Sequence, residues 1–557
     1  MDGSFQWFWL TMLYFGLMLA FKVWFDYWWK PRRIEHIFCA QGIKGPKYQF
    51  FLGNLKEIAS LMSRVSSPPM PFSHNILPRV LCFYHHWRKI HGASFLVWFG
   101  NTARLTIADP ILIKDIFVTK SEFFEKNDLH PLVKKLEGDG LISLKGAKWA
   151  HHRKIITPTF HQDNLKLMIP MMGNSMGKML KRWSKMSSDD DGKVEIEVSE
   201  WFQNLSEDVI TQTVFGSSYE DGRAIYNLQA QQMVYATEAY QKVIIPGYRF
   251  MPTEKNRISW RLDKEIRKSL MKLIQKRRQK NWNSSNSSSN SSTGTMLSEE
   301  CPNDLLGLMI KATSFKETSI WKYHNMMNTD TDSSSLRSST AASSASASAL
   351  ITVHDIVEEC KTIFFAGKHT TSNLLTWTTI LLAMHPQWQE LAREEVLRVC
   401  GARDVPTKDD ISKLKTLGMI INESLRLYPP VVATIRRAKA NVQLGGLNIP
   451  RGTELLIPIV AVHHDRELWG PDANEFNPVR FSKGVCHAAK HSMAFLPFGL
   501  GSRRCIGQNL AILQAKLAIA MILQSFSFEI SPNYRHAPTV QMLLYPQYGA
   551  PIIFQKL

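Results

Sequence analysis

A chain of 557 residues, 44% of them apolar, can bury a large core as one catalytic unit or as two or three average domains. Its formal charge of +19 suits nucleic acid, anionic lipid or an acidic protein partner. No zinc-finger spacing or RNA-binding signature accompanies the dispersed basic residues, so nucleic acid is the weakest of the three.

The chain opens with an apolar stretch from Phe5 to Phe21, broken only by Gln6 and Thr11, and an aromatic run then ends at Trp29. This approaches the ~20 residues needed to cross a bilayer, with Trp24, Trp28 and Trp29 placed for an interfacial belt. Lys30, Arg32 and Arg33 follow, whereas only Asp2 precedes, so the positive-inside rule puts the remainder in the cytosol. Bulky rings stand where a signal peptidase needs small residues, which favours a single uncleaved anchor over residues 1–29. Pro31 and the Gly45-Pro46 step read as a stiff hinge into one globular body over residues 30–557.

Helical patterning dominates that body, with short strand-like stretches at Ser94–Phe99 and Leu105–Ala108. The expected fold class is therefore mainly α with small β-sheets. Seven single cysteines without a C-x-x-C pair argue against a disulfide framework and for a reducing compartment. Ser- and Asn-rich stretches at about 282–298 and 326–350 read as mobile surface insertions, because they carry too little apolar surface to offset ordering. Asp304–Ala312 between them reads as a short helix. The sequons at Asn283, Asn286 and Asn290 would be glycosylated only in a lumenal domain.

A long helix is expected from Thr352 to about Met384, opened by a capping box at Thr352-Val-His-Asp355. In its middle stands Ala366-Gly367-Lys368-His369-Thr370-Thr371. A glycine there costs ~1 kcal/mol relative to alanine and so asks for a packing or functional reason. The Thr370 hydroxyl can bond back to the Ala366 carbonyl. Glu423 and Arg426 form an i,i+3 pair on one helix face, and Asn477-Pro-Val-Arg480-Phe follows downstream.

The strongest signal runs from Phe498 to Gly507 (FGLGSRRCIG), and a helical run, Asn509–Leu523, follows it. A cysteine at the start of a helix sits where backbone N–H groups and the helix dipole stabilise a thiolate. The glycines let backbone pass close to a flat cofactor, and an arginine suits a propionate.

This F-x-x-G-x-R-x-C-x-G pattern resembles the cysteine loop of cytochrome P450 enzymes. The resemblance implies the P450 fold behind a single N-terminal transmembrane helix, and haem b ligated through Cys505. Phe498, Trp149, Arg153, Arg436 and Arg503 would complete the cofactor site; Trp149 and Arg153 match a W-x-x-x-R helix. Glu423, Arg426 and Arg480 would support the haem-binding core, and Ala366, Gly367 and Thr370 would serve the oxygen-binding face, with Thr370 steering protons. The family's usual acid before that threonine is replaced by His369, which puts a carboxylate relay in doubt. Electrons from NADPH would arrive through a separate P450 reductase, since no Rossmann glycine fingerprint is apparent here. The basic balance fits an acidic reductase surface and anionic lipid. The implied setting is the endoplasmic reticulum membrane, single-pass, with the catalytic domain cytosolic.

Pro69–Gly100, Leu136–Ile156, Phe215–Ala224, Cys360–Pro386 and Gln541–Ile552 further resemble the plant P450s that inactivate brassinosteroids by hydroxylation at carbon 26, a subfamily that also tends to lack the acid. By family position the substrate wall would draw on Phe364 and Phe365, on Val431–Ile435 with Val432 and Ala433 in it, and on Leu543–Tyr545 with Leu544 in it. Other readings are a P450 acting on a gibberellin, cytokinin or triterpenoid, or a haem- and steroid-binding protein that no longer turns over.

Overall fold

One helix carries the chain from its start into the body. The computed structural model describes residues 2–66, 68–187, 192–216, 219–240, 248–287, 304–312, 351–401 and 403–557. Asp2–Trp24 is α-helical, Phe25–Trp29 forms a π-helical turn, and Lys30–Cys39 continues as α-helix. The stretch Phe5–Cys39 is the one helix long and apolar enough to cross a membrane among the described residues, and its apolar window is not buried against the body.

Pro31 therefore does not act as a hinge. A proline inside a helix lacks an N–H for the carbonyl four residues back and crowds it. The wide π-turn absorbs that crowding: Lys30 N–H bonds to the Phe25 carbonyl. The Tyr27 carbonyl, orphaned by Pro31, accepts the Tyr48 hydroxyl at 2.5 Å. The Tyr48 ring in turn packs edge-on against Trp98, 5.0 Å between centroids. Tyr27 and Phe51 stack at 5.1 Å. The helix ends only at Cys39, and the Gly45-Pro46 step lies beyond it.

Trp98 belongs to a five-stranded sheet in the order Leu96–Phe99, Thr102–Thr106, Glu454–Ile457, Thr434–Ala438, Phe124–Lys126. The second and third strands pair in parallel and the other neighbours are antiparallel. The second strand lies a few residues earlier than Leu105–Ala108, because Thr102 and Phe99 close a tight antiparallel turn.

The centre of the body is the helix Val353–Met384. Its cap is the expected box: the Thr352 hydroxyl accepts from Asp355 N–H at 3.1 Å, and the Asp355 carboxylate accepts from Thr352 N–H at 3.0 Å. The helices Val198–Phe215, Lys415–Leu427 and Gln508–Ser525 pack around it. Three buried charges on it find partners on neighbouring elements. Glu359 meets His152 at 2.6 Å, Lys361 meets Asp263 at 2.6 Å, and Lys368 pairs closely with Glu207. A buried charge without a partner is far more costly than a pair, so these contacts dictate how the neighbours sit. Leu305–Lys311 is the short helix expected there, capped by Asp304, whose carboxylate accepts from Gly307 N–H at 2.7 Å. Of the two Ser/Asn-rich segments, residues 282–287 end the helix Glu254–Ser287, and 288–298 and 326–350 lie outside the described residues. The six described cysteines are all free.

Beyond the central helix lies a buried imidazole cluster. His74 Nδ1 is 2.9 Å from the Tyr428 hydroxyl, and His74 Nε2 is 3.1 Å from His385 Nε2. His536 Nε2 lies 3.4 Å from the same hydroxyl, while Trp377 stacks on Tyr428 at 4.3 Å. Burial, and then the neighbouring imidazoles, depress His74 to about 3; burial holds His536 at about 4. Unfolded imidazoles take up protons near pH ~6.5. Between pH 6.5 and 4 the unfolded chain thus binds more protons than the folded one, and stability falls as pH falls through that window. Stability of the solubilised protein is expected to fall between pH 7 and pH 5 by about 2 kcal/mol for each such imidazole, seen as a lower thermal midpoint. An unchanged midpoint over that range would show that these rings are not buried in the neutral form.

Candidate functional site

The segment before the last long helix is a turn held by its own backbone. Cys505 N–H donates to the Phe498 carbonyl at 2.8 Å, and Arg504 N–H to the Gly501 carbonyl at 3.1 Å. Gly501 has φ +65°, and a Cβ there would stand 2.0 Å from the Phe117 carbonyl oxygen, so only glycine fits. The helix Gln508–Ser525 then begins with Gly507 as its N-cap.

Cys505 combines two properties that usually exclude each other. Its surface is accessible, yet its thiol is desolvated by surrounding protein. Such a side chain faces an interior hollow rather than bulk water. Burial pushes the thiol above its ordinary value, against the pull of the Gly507 N–H, Arg153 and Arg504. The helix N-terminus therefore does not by itself produce a thiolate here, because desolvation of the charged form outweighs it.

A cluster of cations lies on the same side. Burial and Arg153 depress Arg503 to about 10, and burial and Arg503 depress Arg436 to about 10. The Arg503 guanidinium stacks 4.0 Å from the Trp149 ring centroid and donates to the Leu144 carbonyl at 2.8 Å. Arg436 lies 4.5 Å over Phe117 and donates to the Ile435 carbonyl at 2.9 Å. Arg153 is also lowered by burial, and Cys505 is its acidic neighbour. The 146–156 helix that carries Trp149 and Arg153 is pinned to the central helix by the His152–Glu359 contact.

Sequence reasoning missed a fourth cation. Lys126 pairs across strands with Arg436, and burial followed by Arg436 depresses it to about 7. In the sequence it looks like an ordinary solvated charge, and only strand pairing more than 300 residues away reveals its place. Two carboxylates lie near. Glu125 is already engaged by Lys145 at 3.1 Å, and Glu137, pushed up by burial, has Lys126 as its opposite charge. Arg153, Arg436 and Arg503, by contrast, form no ion pair with a carboxylate among the described residues. Three arginines gathered at this cost fit the acidic edge of a bound dianion, which is what haem propionates are.

The central helix supplies the other accessible spot in the interior. Between its two ends only Ala366, Gly367 and Thr370 expose surface. The Thr370 hydroxyl donates to the Ala366 carbonyl at 2.7 Å, as the sequence suggested. Gly367 has a packing reason as well: a Cβ there would press within 2.6 Å of the Ile210 side chain on the 198–215 helix. His369 is buried, its Nδ1 lies 2.9 Å from the Tyr545 hydroxyl, and burial followed by Lys368 depresses it to about 3. It is a neutral imidazole at physiological pH.

The structure separates the substrate-wall residues. Phe365 and Val432 are buried at the edge of the core, and Ala433 is partly accessible. Phe364 and Leu544 offer no surface to any ligand. Phe364 is fully buried, stacked 4.3 Å from Phe215, because it points toward the 198–215 helix. Leu544 is fully buried, with its backbone bonded to Pro430 and to the Trp377 indole.

Glu423, Arg426 and Arg480 do come together. Arg426 grips Glu423 through two bonds of 2.7 Å, both side chains being fully buried. It also donates to the carbonyls of His463, Ala473 and Glu475. Arg480 sits 3.5 Å from Glu423 and binds Asp472 at 2.5 Å, so its stronger tie is to Asp472. His463 extends the network: Nε2 accepts from Leu496 N–H at 3.0 Å while Nδ1 faces the Arg426 carbonyl at 3.1 Å. The Glu–Arg pair is thus two residues removed from Phe498 through a single ring.

A long buried helix, an accessible interior cysteine and a cluster of arginines without carboxylate partners among the described residues describe a protein that encloses a flat anionic cofactor. Residues 78–554 match the family described as Cytochrome P450, and the chain belongs to that family. It is 61% identical over 530 residues to Cytochrome P450 734A1 of Arabidopsis thaliana, covering 95% of this chain and 93% of that one. It is 55% identical over 542 residues to Cytochrome P450 734A6 of Oryza sativa subsp. japonica (96% and 94% covered). Cytochrome P450 CYP72A616 of Paris polyphylla is 41% identical over 531 residues, with 95% of each covered. The protein is a mono-oxygenase that uses haem and dioxygen, with electrons from NADPH supplied through a reductase, and its substrate is a small molecule.

Proposed function

We propose that this enzyme hydroxylates the side chain of a brassinosteroid at carbon 26 and thereby inactivates the hormone. The observation that carries the chemistry is the desolvated yet accessible Cys505 beside the four cations. The substrate rests on the similarity to the P450 734A proteins and on the segments that resemble the brassinosteroid-inactivating enzymes.

Thiolate-bound haem supplies the activation of dioxygen for insertion into a C–H bond. Cys505 would hold the iron as a thiolate, with the Gly507 N–H placed to stabilise the sulfur's charge. Arg153, Arg436, Arg503 and Lys126, with the Trp149 indole, would hold the propionates. Phe498 closes the cysteine turn through its carbonyl. Glu423, Arg426 and Arg480 fix the segment on which that turn rests. Thr370 spends its hydroxyl hydrogen on Ala366, so its oxygen is left as an acceptor that would hold a proton donor in place. Electrons come from NADPH–cytochrome P450 reductase, whose acidic face suits the +19 chain. The anchor is a single-pass span of the endoplasmic reticulum membrane with residues 30–557 in the cytosol, as the basic cluster after Trp29 favours.

Two measurements test this. Membranes containing the full chain, reductase and NADPH are expected to add one oxygen to the side chain of a brassinosteroid. Turnover of a gibberellin, cytokinin or triterpenoid in its place would overturn the substrate. Thr370→Ala is expected to retain haem while the peroxide formed per NADPH rises several-fold. Unchanged coupling would remove Thr370 from proton handling.

A further inference from the structure

A polar group with unspent hydrogen-bonding capacity stands among apolar side chains beside Thr370. Val133, Leu136, Ala236, Phe365 and Met542 form a small hydrophobic cluster separate from the two main cores. Met542 is the turn residue between the strands Pro538–Gln541 and Leu543–Pro546, and it is held at φ +66°. A left-handed methionine is unfavourable, so its packing against the cluster pins the hairpin in place. That hairpin delivers Tyr545 to the central helix, where its hydroxyl lies 2.9 Å from His369 Nδ1. The His369 ring is also 5.2 Å from that of Phe365.

Tyr545 repeats the signature of Cys505: part of its surface is accessible, yet burial pushes its phenol well above the ordinary value. It too faces an enclosed space. Counting donors and acceptors gives a surplus. With Tyr545 donating to Nδ1, the His369 proton sits on Nε2, which has no hydrogen-bond partner among the described residues. The Tyr545 oxygen keeps its acceptor sites. One turn along the helix, Asn373, 2% exposed, lies against the Tyr545 hydroxyl and opposes the effect of burial on the phenol, while its Nδ2 falls outside hydrogen-bonding geometry. Unpaired donors in apolar surroundings are costly until something pairs with them. The nearest charges are spent elsewhere, since Lys368 is paired with Glu207. The missing partner is therefore a neutral oxygen.

The geometry points to His369 and Tyr545, backed by Asn373, as an uncharged hydrogen-bonding anchor for a hydroxyl or carbonyl oxygen of an otherwise apolar substrate, one that selects which oxygenated steroid is bound. This rests on the steroid reading given above. The anchor explains a histidine where the family usually has an acid: a carboxylate in this setting would need a counter-charge, whereas imidazole and phenol recognise oxygen without one.

The test is binding to full-length, haem-loaded protein in lipid nanodiscs, read from the substrate-induced spin-state shift. The probes are a brassinosteroid and analogues that each lack one oxygen, with a second hydroxysteroid and its deoxy partner alongside. Wild-type protein is expected to bind one deoxy analogue about tenfold more weakly than its parent. Tyr545→Phe and His369→Gln should each bind the parent about tenfold more weakly while binding that analogue as wild type does. The carbon monoxide spectrum checks that the variants hold haem equally. If every ligand weakens by the same factor, or wild type does not discriminate within any pair, the anchor is wrong. If only the second steroid pair binds and shows the pattern, the anchor stands and the brassinosteroid assignment falls.

Discussion

Replacing Cys505 with serine is expected to leave a folded chain whose reduced, carbon monoxide-treated spectrum lacks the Soret band that gives the family its name. NADPH-dependent product should fall to background. The substitution is nearly isosteric, and the turn is fixed by backbone bonds and by the close approach of Gly501 to Phe117, so the fold has little reason to change. What changes is the donor. A serine hydroxyl does not deprotonate under conditions where a thiol does, and oxygen cannot donate electron density to iron as thiolate sulfur can. Even the native thiol is held protonated by burial until a cation meets it, so this position tolerates no weaker acid. Persistence of the band in the serine variant would mean that another side chain ligates the iron.

The second large effect is expected at Arg426. Its guanidinium makes two bonds to Glu423 and reaches three backbone carbonyls, all in a site without solvent. Arg426→Ala leaves the buried Glu423 carboxylate with only the Asn477 N–H at 3.0 Å and Arg480 at 3.5 Å, and strips three backbone carbonyls of their donor. This costs about 3–5 kcal/mol, a large part of what holds a domain together. Arg426→Lys should recover little, because a point ammonium cannot replace a five-donor fork. Arg480→Lys should be much milder, since that arginine binds mainly the half-exposed Asp472. Thermal unfolding and haem retention of the three variants check this order. An Arg426→Ala protein that melts with the wild type would refute the buried-network account.

What could be read in the sequence was local or fixed in spacing. The capping box at Thr352, the Thr370–Ala366 bond, the Glu423–Arg426 pair and the turn around Cys505 each depend on residues a few positions apart, and each has the geometry those intervals imply. Contacts made by distant segments left no such trace. Lys126 meets Arg436 across a strand pair, and Tyr545 meets His369 only because a hairpin folds onto the central helix. Apolar residues misled in the opposite way. Phe364 and Leu544 have the character of a pocket wall, but which way a side chain points is decided by helix phase and strand pairing, and both ended in the core. Pro31 looked like a break because its missing N–H is visible in the sequence, while the π-turn and the Tyr48 hydroxyl that compensate for it are not.

That compensation has a geometric consequence. With the Tyr27 carbonyl clasped by Tyr48 and no swivel at Pro31, the long apolar helix and the sheet that begins the catalytic body turn as one shaft. Deleting a single residue between Trp29 and Cys39 would rotate one against the other by about 100° and shorten the shaft by about 1.5 Å. The bearing of the catalytic body about the apolar helix is thus fixed by the rotation of that one helix around its own axis.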